Sequence, residues 1–257
     1  MDRLHRADVG SIRELEVTKL GLDTAEVTNA GEGSLAIPLV FLRDVVLGYD
    51  STPVVQGVNL AIYPGRLIGL AGPNGSGKTT LLRTILGLLP PLNGDVSRNC
   101  PLSNFGYVPQ SAALDPHFPL SVREIVEMGA YGRVRSYHGL PSEEKKRVGE
   151  VLDQVGMRQL LAKSFFALSG GQKQRILIAR ALMVKPRIMI LDEPLSGVDE
   201  DSRRTITDLL INLTRNNGLA VFFSSHDLQM VQRVADQIVR VDSGNVWVEE
   251  RKIGDRS

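Results

Sequence analysis

The chain has 257 residues, 42% of them apolar and 23% charged, with 30 Lys and Arg against 29 Asp and Glu and a formal net charge of +1. That balance is ordinary for a globular protein with one substantial core, or a core plus a subdomain, and it offers no electrostatic case for a nucleic-acid partner. Cys100 is the single cysteine, which excludes an intrachain disulfide and a cysteine metal cluster and suits a reducing compartment. No stretch approaches the roughly 18 apolar residues of a membrane span, and no apolar segment follows the opening Met-Asp-Arg-Leu-His-Arg. Neither a spanning helix nor a secretory signal is expected. The expectation is a cytoplasmic protein whose membrane role, if it has one, depends on a separate partner.

Residues 1–37 carry mixed charge and four glycines, hold no chemical motif, and read as a poorly ordered N-terminal extension with at most a short strand at Leu15–Thr18. Pattern strengthens at Leu39–Leu47, a strand, and at Val58–Tyr63, an alternating second strand that turns at Pro64-Gly65 into a buried third, Arg66–Ala71. There follows Gly72-Pro73-Asn74-Gly75-Ser76-Gly77-Lys78-Thr79, which fits the phosphate-loop pattern G-x-x-x-x-G-K-[ST]. Glycines lack a Cβ, so this backbone can bend and aim successive N–H groups into one anion-binding nest. Lys78 supplies a point charge for β- and γ-phosphates, Thr79 a hydroxyl for Mg²⁺, and the next helix its positive dipole end. Leu81, Leu82, Ile85, Leu88 and Leu89 recur at helical spacing, which predicts a helix running to Pro90-Pro91.

From Ser121 to about Phe166 the character is helical. Ser121-Val122-Arg123-Glu124 is a capping box, and Val148, Val151, Leu152 and Val155 mark one helix face after Pro141-Ser142. Leu168-Ser169-Gly170-Gly171-Gln172 opens a further helix, with Ser169 as its N-cap and exposed glycine N–H groups that make a second anion site; Pro186 ends it. Ile188–Leu191 is an apolar strand closed by Asp192-Glu193. In a parallel sheet the carboxyl ends of strands line the ligand crevice, so Asp192 is a candidate for the Mg²⁺ side and Glu193 for polarising a water. Strand and helix alternate to the end, as Ser202–Asn216 helix, Leu219–Ser224 strand and Asp227–Ala235 helix. A hairpin of Ile238–Val241 and Asn245–Glu249 across Asp242-Ser243-Gly244 closes the pattern. The whole is α/β with a helical insertion.

The phosphate loop, the L-S-G-G-Q pentapeptide and the strand ending in Asp192-Glu193 together resemble the ATP-binding-cassette (ABC) family, and further elements match in order. Gln110, in Tyr107-Val108-Pro109-Gln110, matches the Q-loop. Leu195-Ser196-Gly197-Val198-Asp199 matches the D-loop, His226 the switch histidine, and Tyr49 the aromatic residue that stacks on adenine. The resemblance covers roughly residues 39–249. It implies an α/β P-loop NTPase core with an antiparallel β subdomain and an inserted α-helical subdomain over about residues 111–168, within an ATPase domain of residues 38–250 followed by a short tail, 251–257.

That resemblance also implies ATP and Mg²⁺ as ligands and a head-to-tail dimer. Tyr49, the loop Gly72 to Thr79, and Thr80 would hold one ATP. Ser169, Gly170, Gly171, Gln172 and Asp199 of the second copy would close over it. Thr79, Gln110 and Asp192 would arrange Mg²⁺, with Glu193 as general base and His226 and Gln110 beside the γ-phosphate. A cassette of this kind resembles the separate ATPase subunit of a transporter, peripheral on the inner face of the membrane, docked through its helical insertion to an integral-membrane permease and served by an extracytoplasmic solute-binding protein. The stretch Leu114–Val126, with Asp115-Pro116-His117-Phe118-Pro119 before Val122-Arg123-Glu124-Ile125-Val126, resembles the metal-ion and iron-chelate importer branch. Uptake of zinc or manganese is the favoured expectation, with iron near it; His117 reads as a solvated loop residue rather than a ligand. An exporter subunit, or a non-transport ATPase of assembly or repair, stands as the alternative.

Overall fold

The computed structural model describes residues 37–110, 119–132 and 139–250. The expected leader, with any strand at Leu15–Thr18, the segment Leu114–Phe118 including His117, and the tail 251–257 lie outside the described residues. Nine strands and six α-helices are found among the described residues. In chain order these are β1 (Val40–Tyr49), β2 (Thr52–Ile62), β3 (Leu67–Ala71), α1 (Lys78–Ile85), β4 (Asn93–Arg98), β5 (Phe105–Val108), α2 (Val122–Glu127) and α3 (Ser142–Gln154). The second half holds α4 (Gly170–Leu182), β6 (Ile188–Leu191), α5 (Glu200–Asn217), β7 (Ala220–Ser225), α6 (Leu228–Val234), β8 (Gln237–Asp242) and β9 (Asn245–Glu250).

The strands form two sheets. One has the order β5-β6-β7-β3-β8-β9, parallel except for the terminal β8–β9 hairpin; the other is antiparallel, in the order β2-β1-β4. Every residue of β3, β6 and β7 is buried, as expected of a parallel sheet covered on both faces. The period of two sorts the side chains. Leu67, Met189, Leu191, Val221 and Phe223 face one core, shared with Ile176, Ala179, Ile206 and Leu210 of α4 and α5. Ile68, Leu70, Ile188, Ile190 and Phe222 face the other, shared with Leu81, Leu82 and Ile85 of α1 and with Val40, Leu42 and Leu60 of the antiparallel sheet. The α/β core with an antiparallel β subdomain and helical elements therefore stands as expected.

Three elements depart from the sequence reading. Helix α1 ends at Ile85, four residues short of Leu89. Gly87 adopts φ 72, and the N–H groups of Gly87 and Leu88 bond the carbonyls of Thr84 and Arg83, a glycine stop that satisfies the last turn before the prolines are reached. Leu88 is consequently 67% exposed. Strand β2 begins at Thr52 rather than Val58, because Asp50 and Ser51, both at positive φ, make a two-residue hairpin turn without the usual glycine. Strand β4, Asn-Gly-Asp-Val-Ser-Arg, was not anticipated at all; Val96 is its one apolar side chain, and pairing with β1 is what makes it a strand. The capping box at Ser121 and the N-cap at Ser169 stand as read. Ser121 and Ser169 each complete a capping box with the residue three places on, and Asp227 caps α6. Cys100 is buried and its thiol is pushed up by that burial, which removes it from thiolate chemistry at neutral pH.

The two cores set an expectation for stability. Phe222 is fully buried between the sheets, whereas Trp247 on the edge strand β9 is 50% exposed. Phe222→Ala should cost about 3–5 kcal/mol in urea unfolding, and Trp247→Ala markedly less.

Candidate nucleotide site

The carboxyl ends of β3, β6 and β7 converge, and the loops leaving them carry the chemistry. The loop after β3 turns into α1 through Gly77, whose φ of 106 is open to glycine and whose missing Cβ would sit 2.3 Å from Val55 Cγ2. Neither requirement allows another residue. Lys78 is thereby placed at the start of α1 and is only 6% exposed. Its ammonium donates to the carbonyls of Gly72 (2.8 Å) and Pro73 (3.1 Å) and lies 3.6 Å from Glu193 Oε1. A buried ammonium has to be compensated in this way or lose its charge.

Asp192 follows β6 directly and is fixed at both oxygens. Oδ2 accepts from the Thr79 hydroxyl at 3.0 Å, and Oδ1 from the Ser224 hydroxyl at 2.7 Å. Its charge is felt as far as Tyr107, whose phenol is pushed up first by burial and then by Asp192. Glu193 is buried, at φ 50, with its N–H donated to Ser224 Oγ at 2.8 Å. Its Oε2 lies 3.0 Å from His226 Nδ1. His226 stands between the end of β7 and α6, in a turn closed by the Asp227 N–H to Ser225 Oγ bond and by the Asp227 cap.

Lys78, Thr79, Asp192 and Glu193 line one cleft of about 460 Å³, together with Tyr49, Val54, Asn74, Gly75, Gly77, Thr80 and Gln110. Tyr49 is partly exposed there, its hydroxyl 3.4 Å from Thr80 Oγ1. The donor set fits a magnesium–triphosphate. Ser76 Oγ is buried in the loop without a hydrogen-bond partner, and Thr79 and Asp192 offer hard oxygen donors side by side. Gly72, Pro73 and Ser76 shape the loop from behind, and His226 reaches the site through Glu193. Ser169, Gly170, Gly171, Gln172 and Asp199 are not among the cleft's lining residues. They sit at the start of α4 and α5. A Cβ on Gly171 would lie 2.2 Å from Ser202 Oγ, so this turn packs tightly on α5 of its own chain. Asp199 accepts from the N–H and the hydroxyl of Ser202, both at 2.8 Å, and the backbone bond foremost holds its carboxyl below the usual range.

Ser224 and Val54 belong to the site and went unnoticed in the sequence. For Ser224 a signal was present, since a hydroxyl inside the apolar run Ala-Val-Phe-Phe-Ser-Ser must find a partner once buried. Val54 gave none, because its place depends on the hairpin turn at Asp50-Ser51.

The sequence model of the family described as "ABC transporter" matches residues 55–196. The ATP-binding protein of a high-affinity zinc uptake system in Bacillus subtilis is 38% identical over 212 residues, 80% of this chain and 92% of that protein. The ATP-binding protein of a manganese transport system from the same organism is 40% identical over 209 residues, 78% and 82% of the two chains. Among solved structures, the ATP-binding cassette MJ0796, a dimer in a post-hydrolysis state bound to ADP and phosphate, superposes with a TM-score of 0.71 at 30% identity, covering 83% of this chain and 100% of that one. The family match spans the phosphate loop and the carboxylate pair that build the cleft, and the chain belongs to the ABC transporter family as an ATP-hydrolysing component.

Proposed function

We propose that two copies of this chain, set head to tail, hydrolyse Mg-ATP to drive uptake of a divalent metal ion, zinc or manganese, through separate integral-membrane subunits. The observation that carries the dimer is the division of the site. One chain gathers Lys78, Thr79, Asp192 and Glu193 around a single cleft, with His226 bonded to Glu193, while its serine-glycine turn at α4 lies outside that cleft's lining. In this reading the N-terminus of α4 from the second copy, with Ser169, Gly170 and Gly171, supplies the missing donors to the γ-phosphate, flanked by Gln172 and Asp199. The names of the zinc and manganese relatives support the cargo. Among the described residues no helix is long and apolar enough to cross a membrane, so the proposed path for the ion lies in a permease, with this subunit on the cytoplasmic face and an extracytoplasmic binding protein delivering the ion.

Phosphoryl transfer to water needs positioning and charge compensation more than covalent help. Lys78 and the loop N–H groups would hold the phosphates, and Tyr49 would stack on the adenine. Thr79, Asp192 and Gln110 would hold Mg²⁺, which when bound neutralises phosphate charge. Glu193, engaged here by Lys78 and His226, would accept the proton of the attacking water, with His226 keeping the carboxylate aimed at it.

Glu193→Gln should lower kcat by about 10²–10⁴ while ATP doubles the apparent mass in sedimentation; a variant that remains monomeric under saturating Mg-ATP would contradict the dimer. Lys78→Ala removes a charge-assisted phosphate contact, and calorimetry should show ATP affinity falling about 10–100-fold. For the cargo, the subunit co-purified with its permease and placed in proteoliposomes should turn over ATP faster with a zinc- or manganese-loaded binding protein. Stimulation by an iron chelate alone would move the assignment.

A further inference from the structure

We propose that Ser224 is a positioning residue for ATP hydrolysis, a single hydroxyl that fixes both Asp192 and Glu193 and thereby sets the turnover rate rather than nucleotide affinity. The proposal rests on the reading of Glu193 as general base. Ser224 is 0% exposed, and its Oγ is used in both directions. It donates to Asp192 Oδ1 at 2.7 Å and accepts the Glu193 N–H at 2.8 Å. It is a polar side chain on a strand whose four preceding residues are all apolar and buried.

The backbone explains why that hydroxyl is needed. Parallel pairing between β6 and β7 ends at Leu191 with Phe223. Beyond it the chain turns out of the ladder, and Glu193 enters the left-handed region at φ 50. A non-glycine residue there is strained and persists only where its surroundings over-determine it. With no β7 carbonyl in register to receive it, the Glu193 N–H would be a buried orphan; the Ser224 hydroxyl takes it instead. The same hydroxyl proton binds the Asp192 oxygen opposite the one that receives Thr79. Asp192 is therefore clamped between α1 and β7, and the backbone angle of the next residue is tied to the same atom. That angle directs the Glu193 side chain to within 3.0 Å of His226 Nδ1 and 3.6 Å of Lys78 Nζ. The phosphate contacts come from the loop and Lys78, neither of which bonds to Ser224, and the Thr79 bond to Asp192 Oδ2 on the magnesium side does not involve that hydroxyl. Loss of the hydroxyl should thus misplace the base more than it weakens binding.

The test compares Ser224→Thr with Ser224→Val, which match in volume and β-preference and differ by the hydroxyl. The threonine variant should stay within about threefold of the parent in kcat. The valine variant should fall about 10–100-fold, the scale of a misplacement near 1 Å, with KM and the calorimetric ATP affinity of the two variants agreeing within about threefold. If valine prevents folding, judged by circular dichroism, Ser224→Ala against the parent serves in its place with the same expected split. Equal kcat with and without the hydroxyl, or a loss confined to KM, overturns the proposal. Glu193→Gln in the same assay separates the two ideas. If it hydrolyses at the parent rate, the base assignment fails; if it is inactive while the hydroxyl proves dispensable, only the positioning role fails.

Discussion

The buried ammonium of Lys78 is the constraint around which this structure is arranged. It sits beneath a loop whose carbonyls at Gly72 and Pro73 take two of its protons, and the carboxylate of Glu193 approaches it at 3.6 Å. A charge this deep is tolerated only where partners are held in place by the fold, since an ammonium without them would be strongly penalised. The partners come from two chain segments. The loop after β3 gives the carbonyls, and the end of β6 gives Glu193, itself held by Ser224 on β7. Three adjacent parallel strands must therefore end at the same level, which is what the β6-β7-β3 order provides.

That arrangement gathers Lys78, Thr79, Asp192 and Glu193 but leaves the serine-glycine turn apart. The turn at Ser169 is committed to α4 by a capping box, and Gly171 is pressed on Ser202 of α5. The glycine serves packing within the chain. The start of α5 is stiffened in the same place by the Asp199 carboxylate, which takes both Ser202 donors. The two turns are tied together through Ser202.

Much of the local chemistry was legible in the residues. The phosphate loop, the capping box at Ser121, the N-cap at Ser169 and the Asp192-Glu193 pair are contiguous, and each draws its physics from neighbours within a few positions. The α/β alternation was legible because β3 and β6 are apolar throughout and β7 opens on four apolar residues. What escaped had one of two causes. The early end of α1 turned on a glycine stop that an apolar repeat through Leu88 and Leu89 masked. The hairpin at Asp50-Ser51 and the strand Asn93–Arg98 lack the residues that usually announce them, and exist because β1 offers an edge on each side.

The sequence by itself determined which chemical groups the protein carries and the family it belongs to, because a phosphate nest, a helix cap and a strand-end carboxylate are short-range objects. Only the tertiary structure decided how those groups act on one another. Thr79 meets Asp192 across 113 residues, and Ser224 reaches Asp192 across 32 and Glu193 across 31. No periodicity encodes such separations. They follow from the order in which parallel strands are laid into the sheet, which is settled when both of its faces are buried together.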